Sequence, residues 1–317
     1  MSWQQLGGGS VKSKGSENPL ARWSGRSGPG VVDGGLATEL ERLGHDLSSS
    51  LWSAQLLADD PGAIESVHAG YLEAGADVIV TATYQATMQG FVAHGHGEQE
   101  ARALLLRAVE LACRARDRQK PTGLVAASIG PHAAFLADGS EYRGDSPVGV
   151  EELVAFHAPR WSILTASGAD LLACETIPTW AEFEALCELQ SRDPAKWAWF
   201  TFCCGDRRSL RDGAPLTDCL ERLATVPRVA GVGANCVEPG HVLGIVELLR
   251  PATSLPILVY PNSGEVWDAG RRCWDGEPDP ASFVEQARAW IDAGANLVGG
   301  CCRTGPEHIR GLRQSIG

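Results

Sequence analysis

The chain has 317 residues, 44% hydrophobic and 21% charged, enough apolar material for one large core and too much for a disordered chain. With 39 acidic against 27 basic residues the formal charge is -12. That is the wrong sign for a nucleic acid or an anionic membrane surface, so a charged ligand is expected to be cationic or zwitterionic.

No apolar run reaches the roughly 18 residues that span a bilayer. The N-terminus, MSWQQLGGGSVKSKGSENPL, lacks the apolar stretch of a secretory signal. A cytoplasmic protein is expected, with its ten cysteines as buried or metal-bound thiols rather than disulfides. Residues 1–30 are rich in Gly, Ser and Lys without any period, and predict a disordered tail ahead of a single folded domain spanning 31–317.

From residue 31 short apolar runs precede longer helical segments. The first run is VVDGG (31–35), followed by an amphipathic stretch at 61–74. Next come DVIVTATY (77–84), a helical segment at 99–116, LVAASIG (124–130) and another helical segment at 151–167. Then follow DLLACETI (170–177), AWFTFCC (198–204), VAGVGANC (229–236), ILVYPN (257–262), a helix at 283–293 and finally NLVGGCC (296–302). Runs that are apolar throughout imply strands buried on both faces, the mark of parallel sheet covered by helices. Eight such units in one domain fit a (β/α)8 TIM barrel. An open doubly wound sheet would show a Gly-rich phosphate fingerprint after its first strand, and VVDGGLATEL has no GxGxxG.

A barrel places its site at the carboxyl ends of its strands. The polar residues there are Asp33, Thr83, Tyr84, Ser128, Glu175, Thr176, Cys203, Cys204, Asn235, Cys236, Asn262, Ser263, Cys301 and Cys302. Cysteine is over-represented among them. Thiolates converging on one rim suggest zinc, which soft sulfur holds tetrahedrally, with one corner left open in a catalytic site. Cys301 and Cys302 can both reach one ion only if the chain bends, since neighbours on a strand face opposite ways; Gly299 and Gly300 permit that. Spacing leaves the third ligand open between Cys236 and the pair Cys203 and Cys204. Cys113, Cys174, Cys187, Cys219 and Cys273 read as small buried side chains, and His68, His94 and His96 form no convincing metal pair.

Several segments, in order, carry a resemblance: DGGLATELERLGHDL from Asp33, LWSAQLL from Leu51, TATYQATMQGF from Thr81, LADGSEYRGD from Leu136, ETIPT from Glu175, GANC from Gly233, YPNSGEVWD from Tyr260 and GGCCRTGPEHI from Gly299. From about Asp33 to the C-terminus the chain resembles the zinc-dependent homocysteine S-methyltransferases, and among them the users of S-methylmethionine. The resemblance implies a barrel whose zinc is held by Cys236, Cys301 and Cys302, setting aside Cys203 and Cys204. It implies methyl transfer from S-methylmethionine to the thiol of homocysteine held on zinc, giving methionine, with these small molecules as the partners and with no nucleic acid or membrane involved.

On that reading Asp33 and Glu175 accept the homocysteine ammonium, with Thr83, Tyr84 and Asn235 beside them. Aromatic faces attract a desolvated sulfonium, and Tyr84 has a better claim than Trp52 or Trp267. S-adenosylmethionine or betaine as donor, selenocysteine as acceptor, and a non-catalytic zinc or redox barrel are the competing readings. Composition does not decide between a monomer and a homo-oligomer.

Overall fold

A computed structural model of the chain describes residues 17–25, 28–49, 51–268, 273–275 and 279–317, apart from the side chains of 266–268 and 273–275. Each predicted apolar run carries one strand, the first of which starts a residue ahead of its run: β1 (Gly30–Val31), β2 (Val78–Val80), β3 (Leu124–Ile129), β4 (Leu171–Ile177), β5 (Ala198–Phe202), β6 (Val229–Asn235), β7 (Ile257–Tyr260) and β8 (Leu297–Val298). All pair in parallel with their sequence neighbours. β8 returns to β1 with Leu297 opposite Gly30, and a parallel bridge from Val32 to Val78 closes the ring. The fold is a (β/α)8 TIM barrel. A short antiparallel hairpin, Val266–Asp268 with Cys273–Asp275, follows β7.

Most predicted strands are longer than the observed ones, because the chain leaves the ladder before its polar residues arrive. β1 ends at Val31, β2 at Val80 and β8 at Val298, so Asp33, Thr83, Tyr84, Cys301 and Cys302 lie on the loops above the barrel. The helices match closely. The one at Pro61–Ala74 begins where Asp60 accepts from the Ala63 amide at 3.2 Å with Pro61 in its first turn, and it ends at Gly75 with φ 114°.

Two apolar layers result. Helices pack around the outside, and the barrel interior is filled by Val32, Val78, Ala126, Leu171, Ala173, Trp199, Ala230, Leu258 and Leu297. Leu20 and Trp23 belong to this inner cluster. The tail expected to run to residue 30 is therefore too long. The Asn18 side chain donates to the Ala230 carbonyl at 2.9 Å, Asn296 donates to the Trp23 carbonyl at 3.1 Å, and Leu20 is fully buried. Two apolar residues in a polar stretch plug the amino end of the barrel, whose inner residues would otherwise meet water. Residues 1–16 lie outside the described residues.

Candidate active site

β6 carries the sequence GVGAN because it lies hard against β7: a Cβ on Gly233 would sit 1.7 Å from the Leu258 carbonyl oxygen. Just past the strand Cys236 takes a left-handed φ of 54°, which costs about 1 kcal/mol or more for a residue with a Cβ and points its sulfur into the mouth. Two residues, Gly299 and Gly300, separate the end of β8 from its cysteines. A Cβ on Gly299 would meet the Val32 side chain at 2.7 Å, and one on Gly300 would meet Thr304 Oγ1 at 2.2 Å.

The chain bends through this glycine pair and is tied down on the far side. The Cys301 amide donates to the Pro261 carbonyl at 2.7 Å, Thr304 Oγ1 donates to the Cys301 carbonyl at 2.7 Å, and the Ser263 amide donates to the Cys302 carbonyl at 3.1 Å. Both sulfurs then face Cys236. Cys301 Sγ lies 3.2 Å and Cys302 Sγ 3.6 Å from Cys236 Sγ, and all three sulfurs fall within 4.8 Å of one another. Sulfurs bound tetrahedrally at about 2.3 Å are spaced by roughly 3.8 Å, so the set fits a soft divalent metal. Among the described residues no further His, Cys, Asp or Glu joins it and no other such group converges.

The thiols are not equivalent. Hydrogen bonds from Cys236 and then Cys301 pull Cys302 well below the usual thiol range, whereas those with Cys301 and Cys302 hold Cys236 well above it. The Tyr142 hydroxyl lies 3.2 Å from Cys236 Sγ and 3.9 Å from Cys302 Sγ. It is brought there by a 3-10 turn, Ser140–Tyr142, that follows Gly139 with φ 76°.

Glu175 stands inside the top of the barrel. Ser128 donates to one of its oxygens, and the Tyr260 hydroxyl donates to the other at 3.0 Å. Tyr260 is itself fixed by Trp199 Nε1 at 3.1 Å and Thr201 Oγ1 at 2.7 Å. Burial, with the negative charge of Cys302, outweighs these two hydrogen bonds and raises the Glu175 carboxyl to about 7. Asp33 accepts from the Val80 amide at 2.8 Å, yet burial and then the nearby Glu175 push its carboxyl well above the usual range. Burial thus favours the protonated form of both carboxyls.

The other predicted site residues divide. Tyr84 reaches the mouth and meets Trp52 edge to face, with centroids 6.5 Å apart. Asn235 and Thr83 are turned inward. Asn235 Oδ1 accepts from the Thr176 amide and its Nδ2 donates to Thr176 Oγ1, both at 2.7 Å, so the amide locks β4 to β6. Thr83 Oγ1 donates to the Ser128 carbonyl at 2.7 Å and lies 2.7 Å from Thr81 Oγ1. Asn235 and Thr83, expected among the ligand-facing groups, thus use their hydrogen bonds to brace neighbouring segments, Asn235 on Thr176 and Thr83 on the Ser128 carbonyl. The Trp267 side chain lies outside the described residues.

Cys203 and Cys204 do not join the cluster: Cys203 points at the Cys236 carbonyl oxygen at 3.8 Å, and Cys204 lies in the outer apolar layer. His68 is buried with neither ring nitrogen paired, and burial lowers it to about 4. Tyr142, Glu141 and Tyr260 escaped residue-by-residue reading, although SEYRGD and YPNSGEVWD contain them, since only the folded loops show which side chains turn inward. Arg211 carried no sequence signal.

A family model described as homocysteine S-methyltransferase matches residues 30–316. The chain is 45% identical to the homocysteine S-methyltransferase YbgG of Bacillus subtilis over 88% of this chain and 92% of that one. It is also 45% identical to the Escherichia coli homocysteine S-methyltransferase, over 93% and 98% of the two chains. Among solved structures, the metallated form of the homocysteine methyltransferase MmuM from Escherichia coli superposes with a TM-score of 0.84. That match has 43% identity and covers 94% of this chain and 99% of that one.

Proposed function

The chain belongs to the homocysteine S-methyltransferase family and is a methyl-transferring enzyme, and from that premise we propose that it converts homocysteine to methionine with S-methylmethionine as methyl donor and zinc as its metal. The observation that carries this reading is the convergence of Cys236, Cys301 and Cys302 within 4.8 Å, with no fourth ligating side chain among the described residues. A structural zinc is closed by four protein ligands, whereas a catalytic one leaves a corner for substrate. Zinc held by these thiolates supplies a Lewis acid that keeps the acceptor sulfur ionised and nucleophilic at neutral pH.

The rest is the work of the chain itself. Glu175 and Asp33 lie inside the mouth to accept the acceptor's ammonium, which drives both carboxyls toward their ionised forms. Ser128 and Tyr260 fix Glu175 in place, so little ordering is left for the moment of binding. The ring faces of Tyr84 and its neighbour Trp52 offer a surface for the sulfonium, worth about 0.5–2 kcal/mol when water is excluded. In the transfer the donor's S–CH3 bond breaks as a new S–CH3 bond forms on the acceptor sulfur, and the donor leaves as neutral methionine. The departing thioether takes up no proton, so the site needs no general acid.

The reduced thiols of the site suit a reducing compartment, the cytoplasm. The decisive experiment measures methionine formation from homocysteine with S-methylmethionine, S-adenosylmethionine and betaine side by side, with and without a chelator, and repeats it with selenocysteine as acceptor. Efficient, chelator-sensitive transfer from S-methylmethionine supports the proposal. Activity with betaine alone, or bound zinc without any transfer, sinks it.

A further inference from the structure

Two loops above the barrel each carry a charged side chain, of opposite sign, with a buried polar atom that lacks a hydrogen-bond partner. Glu141 sits in the turn after β3, next to the Tyr142 that touches Cys236, and its Oε2 is buried without a hydrogen-bond partner. The cation nearest in sequence, Arg143, is engaged by Asp138 at 3.5 Å and Asp145 at 3.2 Å. Glu141 is also not a fourth metal ligand, since its carboxylate is not among the groups converging with the three sulfurs.

Arg211 lies in the loop after β5. It is only partly exposed, and its Nε is buried without a partner. Its positive charge acts on Cys203, the thiol that also feels the charge of Glu141. The two loops are packed together: a Cβ on Gly144 would lie 2.5 Å from Arg211 Cβ, and the Arg211 amide donates to the Pro178 carbonyl at 3.0 Å. A carboxylate and a guanidinium thus flank one thiol beside the reacting sulfurs, each with an unanswered buried atom and neither of those atoms paired with the other. Leaving such atoms buried and unpaired is unfavourable, a cost relieved by a ligand carrying both charges.

We propose that Glu141 and Arg211 form a second amino-acid subsite, in which Glu141 accepts the α-ammonium of the methyl donor and Arg211 binds its α-carboxylate. This rests on the reading of the donor as an amino-acid sulfonium. It separates the two substrates, with the acceptor's head group at Asp33 and Glu175 on the barrel side and the donor's between the loops after β3 and β5. It also makes the donor's zwitterionic end, rather than its sulfonium alone, a determinant of specificity.

The test is a chemical double-mutant cycle on the zinc-loaded enzyme. Initial rates are measured for wild type, Glu141→Gln and Arg211→Gln with three donors: S-methylmethionine, its des-amino analogue dimethylsulfoniobutanoate, and its descarboxy analogue, an aminopropyl dimethylsulfonium. Glu141→Gln should lower kcat/KM for S-methylmethionine about tenfold or more, ~1.4 kcal/mol or more. It should leave the des-amino analogue within about twofold, together with the homocysteine KM and the zinc content. Arg211→Gln should show the mirror pattern with the descarboxy analogue, and Arg211→Lys should recover part of the loss.

Equal losses with all three donors, unchanged kinetics with S-methylmethionine, or a fall in zinc content would each overturn the subsite. A wild type that transfers nothing from S-methylmethionine would instead overturn the donor assignment on which the subsite rests.

Discussion

The chain contains the dipeptide Cys-Cys twice on the same rim of the barrel, and the two copies do opposite things. Cys203 and Cys204 stay on extended backbone, where Cys204 forms a bridge to Leu210, so their side chains diverge toward a carbonyl oxygen and toward the outer core. Cys301 and Cys302 follow Gly299-Gly300, where β8 has already ended. The turn closed by Thr304 brings both sulfurs to the same side as Cys236. The lesson is that the residue type offers a ligand but the backbone decides whether it is one.

The sharpest way to break the comparison is to remove a sulfur from the converging set. Cys301→Ala and Cys236→Ala should each lose stoichiometric zinc and reduce methyl transfer by about a thousandfold or more, as loss of a metal ligand removes the activated nucleophile. Metal analysis beside a methionine assay checks this, and either variant with full zinc and normal rates would remove it from the ligand set.

A smaller effect is expected when the ligands are kept and the bend is damaged. In Gly300→Ala the new methyl meets Thr304 at 2.2 Å, so the turn must open and zinc affinity should fall by about 10- to 100-fold. A chelator competition reads that directly. Unchanged affinity would mean that the turn does not aim the sulfurs.

Next comes the wall that the metal does not touch. Glu175→Gln should raise the homocysteine KM about tenfold while zinc content stays at wild-type level. The same variant has a pH signature in the metal-free protein. The folded pKa of Glu175, about 7, lies above its ordinary value of 4.5. The stability tied to its protonated form is therefore complete below about pH 4.5 and is lost as pH rises toward 7. Denaturant titrations should show Glu175→Gln gaining on wild type across that window by about 3 kcal/mol. A difference that stays flat with pH would show that the carboxyl does not carry this strain.

The smallest effect belongs to the other cysteine pair. Cys204→Ala should keep zinc and activity and cost about 1–2 kcal/mol of stability, the ordinary consequence of a trimmed buried side chain. Loss of metal from this variant would erase the distinction between the two pairs.

Much of this was legible in the sequence because it depends on local chemistry. Eight runs with no polar face can only be strands buried on both sides, and that alternation fixed the barrel. Asp33, Glu175, Cys236, Cys301 and Cys302 could be singled out because they are the polar or sulfur-bearing residues toward the carboxyl ends of those runs. The tail was misjudged because its composition is polar on average while two residues, Leu20 and Trp23, do the packing, and an average cannot show where single side chains land.

What the amino-acid order determined by itself is the set of parts: eight staves, a rim rich in sulfur, and glycines where the chain must bend or pack close. Only the tertiary structure decided which of those parts meet. It chose Cys236 over Cys203 by a left-handed turn and a bend at Gly299-Gly300, and turned Asn235 and Thr83 inward to brace the rim. It also carried Tyr142, Glu141 and Arg211 to the mouth on loops. The reason is physical: strand periodicity and burial are set over a few neighbouring residues, whereas the direction of a side chain at the end of a strand depends on hydrogen bonds to staves far away in the chain.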